Sequence, residues 1–286
     1  MALFNISKPT VPLGSWVVVT GVSGLVGSHV ADQALRAGFR VRGTTRSTEK
    51  NAWVKQHFQK AYGVENFELL EVPDMVAKGA FEKVVAGASG FIHVAIDTAG
   101  SVNAHLAIEN VVDAAINGIE AAAKEPTMKR FVYTSSSYAA TFPSPNEKVV
   151  ITTETFNDEA ATRAKLPDPE GDIVYAASKV EAERQIMAWV KENKPDFVVN
   201  TVLPNANIGP VISSAHQGYP TSSRWVKALC GDYDVDFKIP AQHFVNVQDD
   251  ARLHCIALAH PSIEFERVFA VAGPVKSNAI IGILSR

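Results

Sequence analysis

Short apolar runs alternate with longer stretches in which apolar residues recur every three or four positions. The runs are WVVVTG from Trp16, FRVRGT from Phe39, FELLEV from Phe67, GFIHVA from Gly90, RFVYTS from Arg130 and FVVNTVL from Phe197. Each is short and rich in β-branched and aromatic residues, which predicts a buried strand. The intervening SHVADQALRAG puts Val30, Ala34 and Leu35 on one face and stops at Gly38, which predicts a helix with a glycine stop. ENVVDAAINGIEAAAKEP and YAASKVEAERQIMAWVKENKP predict two more helices, closed by Pro126 and Pro195. Strand and helix in alternation predict an α/β fold with a doubly wound parallel sheet.

Two stretches break the pattern. Thr141 to Asp172 is rich in proline, threonine and acidic residues and has little periodicity, and PNANIGPVISSAHQGYPTSSRW follows the last predicted strand. Long loops on α/β scaffolds carry function, and ligands bind at the carboxyl edge of such a sheet. The expected organisation is a single domain over 1–286. About 13–203 form mainly the strand-and-helix core, and about 204–286 mainly a smaller lobe.

Composition narrows the class. Apolar residues make up 47% of 286 residues, enough to fill a core. The net charge of −3 gives no basic surface, so neither nucleic acid nor an anionic membrane is an expected partner. No apolar run reaches membrane-spanning length, and the N-terminus lacks the pattern of a signal peptide. The two cysteines, Cys230 and Cys255, stand alone, which fits a reducing compartment and predicts a cytoplasmic location. The eight histidines form no metal-type cluster, so no metal is expected.

Gly21, Gly24 and Gly27 fall between the first predicted strand and the first helix. Glycine there permits a tight turn and lets a phosphate approach the backbone, and the helix start at Leu25 and Val26 offers unpaired N–H groups to it. This Rossmann-like turn predicts a dinucleotide pyrophosphate site. Sites for NAD usually carry an acid about 20 residues further on, at the end of the second strand. RGTTRSTEK instead presents Arg46 and Lys50, whose charges suit a 2′-phosphate. The expected cofactor is NADP(H), with Arg46 as main contact, Lys50 as helper and Arg42 as a further possibility left open by strand alternation.

Tyr175 and Lys179 lie four apart at the start of a predicted helix and share a face. A neighbouring ammonium stabilises a phenolate and brings the tyrosine's pKa closer to neutrality, which suits a proton donor. Upstream, Thr134, Ser135, Ser136 and Ser137 end a strand in a run of hydroxyls that can hold a carbonyl oxygen.

With these motifs in order, the chain resembles the extended short-chain dehydrogenase/reductase superfamily, in particular its dihydroflavonol reductase-like subgroup with the yeast and fungal carbonyl and aldehyde reductases. The matching segments are VTGVSGLVGSHV, VRGTTRS, VPDM, FIHVA, RFVYTSSS, VYAASKVEAE and VLPNANIGP. The resemblance implies NADPH-dependent reduction of a small-molecule carbonyl to an alcohol. It makes Ser136 the catalytic serine, with Ser135 as runner-up, beside Tyr175 and Lys179. It places Asp74 and Met75 at the adenine, His93, Val94 and Ala95 along the nicotinamide side, Pro204 at the nicotinamide, and Ser222 and Ser223 near the phosphates. Tyr138, Phe142, Tyr219 and Trp225 are pocket candidates that suggest an aldehyde, ketone or keto ester with an apolar group, although core packing explains each equally well. Family members run several dozen residues past the point matching Arg286, so the resemblance implies a substrate lobe cut short. Two other readings share the scaffold. A nucleotide-sugar epimerase or dehydratase commonly retains NAD, which Arg46 argues against. A non-catalytic NADP(H) sensor has no need of Ser136, Tyr175 and Lys179 together.

Overall fold

A computed structural model describes residues 6–96, 103–144, 147–220, 222–228 and 242–284. The chain enters through β1 (Trp16–Val19), turns into α1 (Leu25–Arg36) and returns as β2 (Arg40–Thr45). A further crossover through α2 (Ala52–Tyr62) lays β3 (Phe67–Glu71) outside β2. The chain then crosses to the other side of β1. There it builds α3 (Glu82–Val85), β4 (Ala88–His93), α4 (Ala104–Lys124), β5 (Arg130–Thr134), α5 (Asp158–Arg163), α6 (Gly171–Asn193) and β6 (Val198–Pro204). All six predicted strands are present. The two proline stops hold as well: α4 ends at Lys124 before Pro126, and α6 ends at Asn193 with Lys194 left-handed (φ 45°) before Pro195.

Beyond β6 come β7 (Ala206–Ile208), α7 (Ser214–Gln217), α8 (Ser223–Lys227), β8 (Gln242–Asn246), α9 (Val247–Ala259), β9 (Arg267–Ala270), β10 (Gly273–Val275) and α10 (Ser277–Leu284). The main sheet has seven parallel strands in the order β3-β2-β1-β4-β5-β6-β9. β7, β8 and β10 form a separate three-stranded sheet, the heart of a small lobe. The lobe is therefore not simply the chain after residue 203, because α9 and β9 return to the main sheet.

Both faces of the sheet are covered, and the strand period of two sorts the side chains between them. Val17, Val19, Ile92 and Val132 pack with Val30, Ala34 and Leu35 of α1 and with Ala251, Cys255 and Leu258 of α9. Val18, Phe91, Phe131 and Tyr133 pack on the opposite face with Val111, Ala115 and Ile119 of α4 and Ala182 and Ile186 of α6. Strand order reverses between β1 and β4, and the crevice at that reversal is where an open α/β sheet binds ligands.

Phe131 is fully buried and meets the Phe91 ring edge-on at 5.1 Å. Phe131→Ala should cost about 3–5 kcal/mol and lower the unfolding temperature by several degrees, read by thermal denaturation.

Candidate active site

The turn between β1 and α1 lies in the crevice. Gly21 has φ +69°, and a Cβ there would meet Ala95 at 3.1 Å. A Cβ on Gly27 would fall 2.2 Å from the Gly21 carbonyl oxygen, so only glycine lets α1 start this close to the turn. Gly24 donates its N–H to the Gly21 carbonyl (3.0 Å) and serves as the N-cap of α1 without any side-chain cap. The first turn of the helix thus keeps backbone N–H groups for an anion. Thr20 fixes the opposite wall: its hydroxyl accepts the N–H groups of Val94 and Ala95, both at 2.9 Å.

These walls enclose a cavity of about 460 Å³. Gly21, Gly24, Leu25, Val26, Gly27, Arg46, Met75, Val94 and Ala95 all line it, as the sequence predicts for a cofactor site. Among the described lining residues Arg46 is the only charged one. Asn51, absent from the sequence prediction, also lines it, and its amide donates to the Thr45 hydroxyl (2.8 Å) and the Ser47 carbonyl (3.1 Å).

The remaining cofactor candidates lie elsewhere. Lys50 is exposed in the turn before α2. Asp74 is exposed and accepts the Val76 N–H at 2.8 Å, capping its own turn. Pro204 is buried at the end of β6. The Ser222 hydroxyl is bonded to the Asn207 carbonyl and that of Ser223 to the Pro220 carbonyl. His93 is buried beneath the site, its pKa pulled down to about 3 by burial and then by Lys179. Arg42 points away: it bonds Glu68 and the Val84 and Ala86 carbonyls and packs over the Trp16 ring.

Further along the sheet edge, β5 ends in its hydroxyls. The two serines part ways there. Ser135 gives its hydroxyl to the buried carboxylate of Glu183. Ser136 caps a 3₁₀ turn over Ser137–Ala139, accepting the Tyr138 N–H at 3.2 Å. Burial pushes Tyr175 above the ordinary tyrosine value, and a hydrogen bond from Ser136 draws it back. Lys179 lies one turn further along α6. Its ammonium donates to the Thr134 carbonyl at 2.7 Å and sits 5.0 Å from the centre of the Tyr133 ring. Burial pulls it down to about 7, opposed by Glu183. The expected lowering of Tyr175 by Lys179 is therefore not the operative effect in this geometry: burial dominates and Ser136 opposes it.

Two larger cavities flank these groups. One of about 880 Å³ is lined by Tyr138, Phe142, Val149, Ile151, Phe269 and Val271, so part of its wall comes from the long excursion after β5. A groove of about 1350 Å³ runs between α4, α5 and α6 with Tyr175 on its wall. The Tyr138 ring meets the Phe142 ring at 5.6 Å and the Tyr175 ring at 6.4 Å. Tyr219 and Trp225 are not part of either. Trp225 packs with Val275, Ile280, Ile208 and Phe244 inside the small lobe, and Tyr219 is exposed under the Lys227 ammonium. Among the described residues no cluster could hold a metal and no helix is long and apolar enough to cross a membrane. Cys230 lies outside the described residues, and Cys255 is buried as a free thiol.

Comparison with known proteins fits this geometry. The model of the NAD dependent epimerase/dehydratase family matches residues 17–272. Aldehyde reductase 2 of Sporidiobolus salmonicolor is 37% identical over 283 residues, covering 97% of this chain and 82% of that protein. Ketoreductase adrE of Penicillium rubens is 38% identical over 281 residues, covering 96% and 81%. Among solved structures, Gre2 of Candida albicans in complex with NADPH superposes with a TM-score of 0.82 at 26% identity, covering 96% of this chain and 82% of that one.

Gly27→Ala should force α1 off the turn, at a cost of about 1–3 kcal/mol, and remove dinucleotide binding measured by calorimetry. Gly24→Ala, whose Cβ would meet only the Gly21 oxygen at 3.4 Å, should leave the unfolding temperature nearly unchanged.

Proposed function

The chain belongs to the NAD dependent epimerase/dehydratase family, and from that premise we propose that it is an NADPH-dependent oxidoreductase that reduces an aldehyde, ketone or keto ester to an alcohol. The observation that carries the reading is the convergence at the sheet edge of Ser136, at the start of the turn after β5, with Tyr175 and, one helical turn on, Lys179 of α6, whose ammonium donates to the Thr134 carbonyl. Relatives named aldehyde reductase and ketoreductase, and a neighbour solved with NADPH, support it.

The cradle fits a dinucleotide. The close approach at Gly27 and the uncapped start of α1 leave backbone N–H groups of Leu25, Val26 and Gly27 for a pyrophosphate. Arg46, the sole charge among the described lining residues, would hold a 2′-phosphate. Lys179 would hold ribose hydroxyls. The cofactor, when bound, supplies the hydride.

The chain's own groups handle the oxygen of the substrate. Ser136 donates a hydrogen bond that strengthens as negative charge develops there. Tyr175 gives its proton to that oxygen. Its raised pKa keeps the phenol protonated at neutral pH, and Ser136 stabilises the phenolate that remains. Ser135 is unsuited to this role because its hydroxyl is committed to Glu183. The apolar walls around Tyr138 and Phe142 suit an apolar substituent.

A panel of carbonyl compounds followed by NADPH absorbance tests the reading, and no consumption with any of them would overturn it. Tyr175→Phe should lower single-turnover hydride transfer by about 10²–10⁴-fold with NADPH affinity retained. Ser136→Ala should depress turnover more than Ser135→Ala. NADPH should bind at least about tenfold more tightly than NADH, a gap of about 1.4 kcal/mol. Arg46→Ala should remove most of that gap while leaving NADH affinity near its original value, and equal affinities in the unsubstituted protein would refute the assignment of Arg46.

A further inference from the structure

Glu183 is 1% exposed. Carboxylates are almost never buried to this degree unless they are paired. Its position on α6 is one turn beyond Lys179, so the two share a face, and Tyr175, Lys179 and Glu183 form a stripe at successive four-residue steps. The sequence shows that spacing, but an acid four residues from a lysine on a helix is usually a surface pair.

Here it is an internal junction. Oε1 accepts the hydroxyl of Ser135 at the end of β5, and Oε2 accepts Nε of Arg267 from β9 at 2.7 Å. Arg267 is itself buried and reaches on into the excursion after β5. Its Nη1 donates to the carbonyls of Thr153 (2.7 Å) and Thr155 (2.8 Å), and its guanidinium lies 4.1 Å from the centre of the Phe156 ring. One carboxylate thus joins the helix of Tyr175 and Lys179, the strand end of Ser136, and the loop that supplies part of the apolar cavity. A buried ion pair is a poor device for stability alone, since apolar groups of similar volume often serve as well.

We propose that Glu183 is a positioning residue for the reduction: it sets its carboxylate one helical turn from the Lys179 ammonium and fixes the Ser135–Ser136 strand end opposite Tyr175. This rests on the reductase reading above. The groups facing Lys179 explain why one acid matters. From β5 come the Thr134 carbonyl and the Tyr133 ring. From β4 comes His93, neutral at ordinary pH, and from α6 itself Tyr175. Behind Thr134, the His254–Asp250 pair of α9 meets the Thr134 hydroxyl, with His254 Nε2 2.9 Å away. Arg267 lies beyond Glu183 and adds positive charge. Among the described residues Glu183 is the acid that raises Lys179, while burial pulls it down to about 7.

The sign follows. A lysine ammonium is present below its pKa and lost as pH rises through it. Glu183→Gln removes the raising charge, so the midpoint of Lys179 falls below about 7. The alkaline limb of turnover then moves to lower pH by about one unit, a loss of about tenfold at a pH above both midpoints. NADPH affinity should follow the same limb, because Lys179 also serves the ribose. Glu183→Asp keeps the charge and should return the limb toward its original place.

The test is the pH dependence of turnover and of NADPH affinity in the full chain for both variants, with the unfolding temperature measured alongside. A lower unfolding temperature with an unmoved limb in Glu183→Gln would make Glu183 a structural residue only and overturn the proposal. If Glu183→Gln does not fold, the ¹³Cε titration of Lys179 in the unsubstituted protein, assigned with Lys179→Met, decides. A midpoint near the ordinary lysine value of about 10.4 overturns the proposal; a midpoint near neutrality supports it if Glu183→Asp, whose carboxylate is one methylene shorter, lowers it only in part, and overturns it if Glu183→Asp leaves it unmoved. Absence of carbonyl reduction by the unsubstituted protein would instead remove the reductase reading, and the Lys179 titration distinguishes that failure from failure of the Glu183 assignment.

Discussion

The hydrogen bond from the Lys179 ammonium to the Thr134 carbonyl joins the longest helix of the second layer to the carboxyl end of a central strand. An ammonium taken from water costs several kcal/mol unless its hydrogen bonds and charge are met inside. That requirement explains its surroundings: a carbonyl acceptor, an aromatic face and a carboxylate one turn away. Once Lys179 is fixed, Tyr175 is placed one turn earlier on the same face, beside Ser136.

The buried polar network survives because the rest of the molecule is apolar and tightly covered. Helices lie on both faces of seven parallel strands, and the two clusters divide cleanly by alternate residues along each strand. This rigid frame presents two different neighbours to the sheet edge. On the β1 side is a cradle of backbone whose described lining carries one cation, suited to phosphate. On the β6 and β9 side is an apolar cavity walled by Tyr138, Phe142, Val149 and Phe269. The long excursion after β5 is anchored through Arg267 to Glu183, so the cavity wall and the reactive groups are tied to one carboxylate.

The small lobe also reaches back to the cradle. Gln217, at the end of α7, donates to the carbonyls of Ser23 and Gly24 and to the Ser28 hydroxyl, and the His216 ring stacks on Trp53 at 5.2 Å. The glycine turn is thus supported from outside by a residue 194 positions along the chain from Ser23.

Much of this was legible from local pattern. Six strands, the helix stops at Pro126 and Pro195, and the glycine turn follow from periodicity and backbone preference, which act over a few residues and survive in any context. Gly21 and Gly27 were readable because only glycine meets those backbone demands. Tyr175 and Lys179 were readable because helical spacing alone puts them on one face. Strands β8 and β9 were not, for their pairing is set by long-range packing, with β7 and β10 for one and β6 for the other. Nor was the separation of Ser135 from Ser136, since adjacent residues differ only in which neighbour each side chain meets. Arg42, Tyr219 and Trp225 looked equal to Arg46, Tyr138 and Phe142 as chemical types. Contacts across the fold sorted them, because a side chain's role depends on the partners that long-range packing brings within a few ångströms, and Glu183, an ordinary acid in the sequence, acquires its burial and its partners by that packing alone.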